Sequence, residues 1–103
     1  MVSTQTYIGT ELKFALTITA EGFSMDDDWF SIELKRGGKS VVTIPKNECI
    51  HDGEGNWYFT FDSRDFGTGT VTAIITALVP DEDFDDNLRT EVTKIDLINI
   101  KNV

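Results

Sequence analysis

The sequence predicts an all-β protein, an antiparallel immunoglobulin-like β-sandwich of about seven strands. Three observations lead to this prediction. Apolar and polar residues alternate with a period of two over most of the chain, turn-forming residues recur between the alternating segments, and no segment has the period of a helix. Strands that are apolar on one face need a second sheet to cover that face, which favours a sandwich. A small closed barrel is the alternative.

Length and composition limit the class of protein. The chain has 103 residues, enough for one domain spanning residues 1–103, and 40% of them are hydrophobic. The net charge of −9 argues against binding to nucleic acid or to anionic membranes, because both require clustered Lys and Arg. A single cysteine excludes an internal disulfide, and residues 1–9 lack the basic and apolar regions of a signal peptide. We therefore expect a cytoplasmic protein.

In the first part of the chain, apolar and polar residues alternate in a pattern that predicts three strands. Tyr7 and Ile8 predict a brief edge strand, and the strict alternation of residues 12–20 predicts a half-buried one. Residues 21–28 include three consecutive aspartates, whose mutual repulsion predicts an exposed loop. Residues 29–35 predict the next strand. Its inward side chains are Phe30, Ile32 and Leu34.

The hairpin that follows can form in two registers. A loop of two glycines, residues 37–38, would leave Val42 and Ile44 in solvent. A loop of three residues, 36–38, turns both side chains toward the core and pairs Ile32 with Val42. Because the second register buries more apolar surface, we predict the longer loop.

Pro45 and the segment after it interrupt the alternation. Pro45 cannot donate a ladder hydrogen bond, so it predicts a strand end or an edge strand. Residues 46–55 are irregular, with a short strand predicted at Cys49 and Ile50. Cys49 and His51 are the nucleophile and base of a conceivable catalytic dyad. A buried small Cys and a surface His explain the same residues more simply, so we predict no enzyme.

Residues 56–80 carry the strongest pattern of the chain. Trp57, Phe59 and Phe61 alternate with polar neighbours in a first strand. The glycine-rich corner at residues 62–69 follows, in which Phe66 is expected to close the end of the core. The second strand repeats the alternation. Its inward residues are Val71, Ala73, Ile75, Ala77 and Val79.

Residues 90–100 predict the final strand, after a charged loop at residues 81–87. The apolar phase of this strand changes between Leu97 and Ile98. An alternation that slips by one residue indicates a bulge or an edge position. The strand is apolar and poor in charge, so it could also pair with another chain at its edge.

The charged loop is the one candidate for a metal site. Asp81, Asp83 and Asp85 stand at the first, third and fifth positions of an EF-hand-like calcium loop. Asp86 replaces the required glycine at position six, and Val92 replaces the bidentate glutamate at position twelve. Solvated carboxylates explain the loop better, so we favour no metal and no cofactor.

Four apolar residues on the outer faces of the predicted strands are candidates for a protein interface: Trp29, Tyr58, Ile74 and Leu78. If they lie on neighbouring strands of one sheet, they form a patch typical of binding surfaces. The partner would be another protein or a second copy of the chain in a homo-oligomer. The alternative function is a calcium-assisted carbohydrate or cell-surface binding module, with Trp29 or Tyr58 stacking on a sugar.

The order of these segments carries a resemblance. Strand 12–20, the loop at 36–38, the segment HDGEGNWYF at 51–59 and FGTGTV at 66–71 resemble the immunoglobulin-like modules of phage tail and baseplate proteins. They are also similar to small proteins carried by phages and prophages of gut Bacteroidetes. The resemblance covers residues 11–100. It implies a non-enzymatic structural or assembly role in the virion, in the tail, the baseplate or associated with the head.

Overall fold

The computed structural model describes residues 5–103, and over that range the chain is all-β, as predicted. Three short 3-10 helices accompany the strands, at Lys46–Glu48, Ser63–Asp65 and Asp85–Asn87. The strands are β1 (Gln5–Tyr7), β2 (Glu11–Leu16), β3 (Phe30–Arg36), β4 (Lys39–Pro45), β5 (Ile50–His51), β6 (Trp57–Asp62), β7 (Gly69–Pro80) and β8 (Leu88–Lys101).

The strands form two sheets of unequal size. The large sheet has five strands in the order β1-β8-β7-β3-β4, and the small sheet has three in the order β2-β6-β5. β1 runs parallel to β8, whereas every other pair is antiparallel. The prediction of antiparallel pairing throughout is therefore wrong at β1. A period of two marks the faces of a strand but carries no information about its direction.

The two sheets enclose one apolar core. The inward residues predicted for β3, β6 and β7 are all buried, which confirms the alternation in these strands. Phe30 packs edge-on against Trp57 with ring centroids 5.4 Å apart, so the aromatic side chains of the small sheet meet the large sheet directly. The buried apolar residues are Leu16, Phe30, Ile32, Leu34, Ile44, Trp57, Phe59, Phe61, Phe66, Val71, Ala73, Ile75, Ala77, Val79, Ile98 and Ile100.

The glycine-rich corner connects the two sheets rather than two paired strands. β6 belongs to the small sheet and β7 to the large sheet. Phe66 is 4% exposed and its ring lies 5.0 Å from that of Phe61, so it closes the end of the core as predicted. Ser63 is fully buried in this corner, and its Oγ accepts a hydrogen bond from the Gly9 amide at 2.9 Å.

The predicted register of the β3–β4 hairpin is wrong. The turn is the two-residue loop, with φ of 59° at Gly37 and 81° at Gly38. Ile32 pairs with Ile44 and not with Val42, because one extra residue at Val41 forms a bulge. A two-residue loop without a bulge would turn Ile44 toward solvent, and the extra residue turns it back toward the core. Ile44 is therefore buried without a longer turn.

The bulge expected in the final strand is confirmed. The β7–β8 register shifts between Val71 and Thr72, where Leu97 has no partner. The shift places Ile98 and Ile100 in the core, on the same side as Ile95. β4 ends at Pro45 and is an edge strand, as the proline predicted.

Other predicted boundaries differ by a few residues. β2 ends at Leu16, opposite Trp57 at the start of β6, so the chain beyond it has no partner strand. Ile18 and Ala20 still pack partly against the core. Within residues 5–103 no helix is long and apolar enough to cross a membrane. The prediction about a signal peptide concerns residues 1–9, of which 1–4 lie outside the described range.

Candidate interaction surface

Three of the four predicted interface residues lie together on the outer face of the large sheet. Ile74 and Leu78 point outward from β7 and are half-buried. The Leu78 amide donates a hydrogen bond to the Trp29 carbonyl at 2.9 Å, so Trp29 lies beside Leu78 at the start of β3. Trp29 is 43% exposed. The sequence could not show this adjacency, which depends on the pairing of β3 with β7.

Tyr58, the fourth predicted residue, lies on the small sheet and does not join the other three. It pairs with Ala15 of β2 on one side and Ile50 of β5 on the other. The Lys13 ammonium lies 4.6 Å from the centroid of its ring, a cation–π contact that covers the aromatic face. The outer faces of the two sheets point in opposite directions, so one flat partner cannot contact both.

Val92 is a member of the patch that the sequence did not reveal. It is 64% exposed and lies opposite Thr76, the β7 residue between Ile74 and Leu78. Residues directly opposite each other on neighbouring strands share a face of the sheet. We call the set Trp29, Ile74, Leu78 and Val92 the outer patch.

The outer patch reaches an open edge of the large sheet. In the range that the structure describes, β1 pairs with β8 at Asn99, Ile100 and Lys101. Among residues 5–103, the segment 88–98 of β8 therefore has β7 on one side and no strand on the other. We call this segment the open edge. Its residues 92–96 are all exposed, although β-strands in the middle of a sheet usually bury one face.

A groove lies on the inner side of the open edge. Its volume is about 220 Å³, and Ile75 and Ala77 form part of its lining. Thr17–Thr19, which follow β2, border one side, and Glu91, Thr93 and Ile95 of β8 border the other. A sheet of three strands is too narrow to cover one of five, so the inner face of β8 stays open here. We call this cavity the side groove.

The open edge is electrically neutral on a strongly acidic protein. Residues 88–98 contain two basic residues, Arg89 and Lys94, and two acidic residues, Glu91 and Asp96. The whole chain has a net charge of −9. A second acidic chain would therefore meet less repulsion along this strand than over most of the surface.

Side chains from elsewhere in the fold contact the acidic loop at residues 21–28. The Trp57 indole Nε1 donates to the Asp26 carboxylate at 3.1 Å, and His51 Nε2 lies 3.3 Å from the same oxygen. Lys46 Nζ donates to the main-chain carbonyls of Asp26 at 2.9 Å and Asp28 at 2.8 Å. These contacts fix the loop against the core.

The candidate calcium ligands are not gathered into a site. Arg89 Nη1 donates to Asp81 Oδ2 at 2.7 Å, and the Asp83 amide donates to Asp81 Oδ1 at 3.1 Å. Both carboxylate oxygens of Asp81 thus already have partners. In the part of the chain that the structure describes, no three His, Cys, Asp or Glu side chains are arranged to hold a metal ion.

Cys49 and His51 have separate surroundings. The Cys49 thiol lies 3.7 Å from the Pro45 carbonyl oxygen. Burial, and to a lesser extent the Glu48 carboxylate, raises the pKa of this thiol, which favours its protonated form. The His51 ring stacks on Trp57 with centroids 4.2 Å apart. Each residue therefore has a structural explanation that requires no catalysis.

Comparison with known proteins gives no relative from which a function could be transferred. No protein-family model, curated protein or solved structure matches the chain.

Proposed function

We propose that this protein is a non-enzymatic structural or protein-interaction module that binds another protein chain through the outer patch and the open edge. One observation carries the proposal: residues 92–96 are exposed on both faces of a strand that, within the described range 5–103, also has one edge without a partner strand. Val92 at 64% and Ile95 at 43% exposure are apolar residues in this segment. A bound chain would cover them and pair with the main-chain groups along this edge.

The biological setting that we propose is a phage virion, in which the domain serves as an immunoglobulin-like building block. The support is the resemblance of residues 11–100 to tail and baseplate modules, together with two packed β-sheets and exposed apolar residues on the large sheet. The genes beside this one test the setting. Capsid, portal or tail genes are expected there, and a neighbourhood of host metabolic genes would contradict a virion role.

Site-specific photocrosslinking tests the binding surface. A photoreactive residue replaces Thr76, which lies between Ile74 and Leu78 on the outer face, in cells that produce the protein. Thr60, exposed on the outer face of the small sheet, is the matched control position. Discrete protein adducts are expected from position 76 and not from position 60. An equal yield at both positions, or no adduct at 76, would remove the support for the proposed surface.

A further inference from the structure

We infer that the chain which binds at the open edge is a second copy of this protein, in a two-fold dimer whose β8 strands pair antiparallel. The inference rests on the proposed function and adds the identity of the partner. The two large sheets would become one continuous sheet through their β8 strands, with β1 of each copy, which pairs with residues 99–101, beyond the end of the paired segment.

Comparison of the two edges of the large sheet indicates that the second copy pairs with β8 rather than with β4. At the other edge, β4 has a bulge at Val41 and ends in Pro45, two features that hinder pairing with another chain. Residues 88–96 of β8 pair with β7 in regular register and include no proline. Lys94 is the one lysine among them. The open edge therefore keeps the straight row of main-chain donors and acceptors that a second strand needs.

Two-fold symmetry joins the apolar surfaces as well as the edges. An antiparallel pair of identical strands has its axis perpendicular to the sheet, so the outer faces of the two copies lie on the same side. Val92 is the member of the outer patch on β8 itself, and it would lie close to the axis. The outer patches of both copies would then form one apolar surface, and Ile95 of each copy would border the side groove of the other.

The charge pattern of β8 fits this arrangement. With the axis at Thr93, the midpoint of residues 88–98, Lys94 lies opposite Val92 of the second copy and Glu91 opposite its Ile95. No like charges are directly opposed, and the aliphatic part of each Lys94 can pack on Val92. Since the open edge is neutral, the dimer would bring together two segments that carry no net charge on otherwise acidic chains.

Light scattering and disulfide trapping on the purified full chain test the inference. Cys49 is first replaced by Ser, so that no native thiol interferes. Thr93→Cys then places two thiols across the proposed axis, at a separation that a disulfide spans. Thr43→Cys on β4 is the control, because Thr43 is also an exposed threonine on an edge strand of the same sheet. Circular dichroism verifies that both variants are folded.

We expect a dimer mass at micromolar concentration and a disulfide-linked dimer from Thr93→Cys at least ten times faster than from Thr43→Cys. A monomer at all concentrations overturns the inference. A dimer also overturns it if Thr43→Cys crosslinks as well as Thr93→Cys, or if neither variant crosslinks. A monomer that still gives adducts with a different protein from position 76 refutes the second copy alone. A monomer without such adducts refutes the proposed function too.

Discussion

At the scale of single residues, Lys46 anchors the acidic loop to the rest of the fold. Its ammonium donates to two carbonyls of that loop and lies 5.4 Å from the centroid of the Trp57 ring. Lys46 follows β4, whereas the loop precedes β3. One side chain therefore connects two segments and ties the main chain of the acidic loop to the core.

Replacing Lys46 with Met should destabilise the fold, because methionine keeps the apolar stem but cannot donate a hydrogen bond. We expect the free energy of unfolding in urea to fall by about 1–3 kcal/mol. Lys39→Met, on an exposed part of β4, is the control and should change it by less than about 0.5 kcal/mol. Equal effects of the two substitutions would show that the loop does not depend on Lys46.

Asp62 gives a prediction about pH. Its carboxylate accepts hydrogen bonds from the Arg64 side chain and amide, which lowers the pKa of Asp62 from 3.8 to about 2. A group whose pKa is lower in the folded state stabilises the fold above its unfolded pKa and loses this effect as the pH falls toward its folded pKa. Asp62→Asn should therefore be less stable than the wild type at pH 6.

The difference between Asp62→Asn and the wild type should shrink between about pH 4 and pH 2, where the wild-type carboxylate becomes protonated. Thermal unfolding at closely spaced pH values measures it. Asp65→Asn, an exposed change in the same corner that leaves the Asp62–Arg64 contact in place, is the comparison variant. A gap between Asp62→Asn and the wild type that is constant across this range would contradict the role given to Arg64.

The sequence predicted residues that face the core better than it predicted long-range polar partners. Trp57, Phe61 and Phe66 were identified as core residues because alternation and turn chemistry are local properties. The contact between Trp57 and Asp26 joins residues 31 positions apart in sequence. No local pattern specifies such a pair, so the acidic loop could be identified as a loop but its anchors could not.

At the scale of elements, the two bulges show where reasoning from alternation succeeds and where it fails. In β8 the apolar phase itself slips between Leu97 and Ile98, so the bulge was visible in the sequence. In the β3–β4 hairpin a change of loop length and a bulge both restore the phase of Ile44. The alternation could not distinguish the two solutions. Gly37 and Gly38 decided the outcome, because two consecutive positive φ values suit a two-residue turn.

The hairpin bulge predicts that Val41 can be deleted without loss of the fold. Deletion would leave a regular ladder in which Val42 still pairs with Leu34 and Ile44 with Ile32. We expect a cooperative unfolding transition and a change in stability of no more than about 1–2 kcal/mol, since Val41 is 38% exposed.

Deletion of Ser31 from β3 is the contrasting case. β3 pairs with β4 on one side and with β7 on the other, and its register with β7 contains no bulge that could absorb the lost residue. This deletion would turn either Phe30, on one side of Ser31, or Ile32 and Leu34, on the other side, out of the core. Urea unfolding and near-UV circular dichroism compare the two variants. Loss of tertiary structure on deletion of Val41 would contradict the register described above.

At the scale of the whole molecule, the difference in size between the two sheets explains the candidate surface. The sequence predicted two covering sheets because each strand has one apolar face. It could not assign five strands to one sheet and three to the other, since strand order depends on long-range pairing. Trp29, Ile74 and Leu78 were therefore predicted as interface residues from their outward phase, whereas Val92 and the open edge required the structure.

Ile74→Glu tests whether the outer patch supports assembly. Ile74 points away from the core and is half-buried, so a charged residue is expected to leave the fold intact. In the dimer it would add a charge to the joined apolar surface and raise the dimer dissociation constant at least tenfold, as measured by light scattering. Thr60→Glu on the small sheet should leave the constant unchanged. Unfolding of Ile74→Glu would show that this face belongs to the core.

Hydrogen–deuterium exchange at low and high protein concentration tests the central claim most directly. Amides of residues 88–98 should exchange more slowly at high concentration, because β8 gains a partner strand there. β4, the other edge strand of the large sheet, is the internal reference and should exchange at the same rate at both concentrations. Slower exchange confined to β8 would agree with assembly at the open edge. Unchanged exchange in β8, or slower exchange in β4 instead, would contradict it.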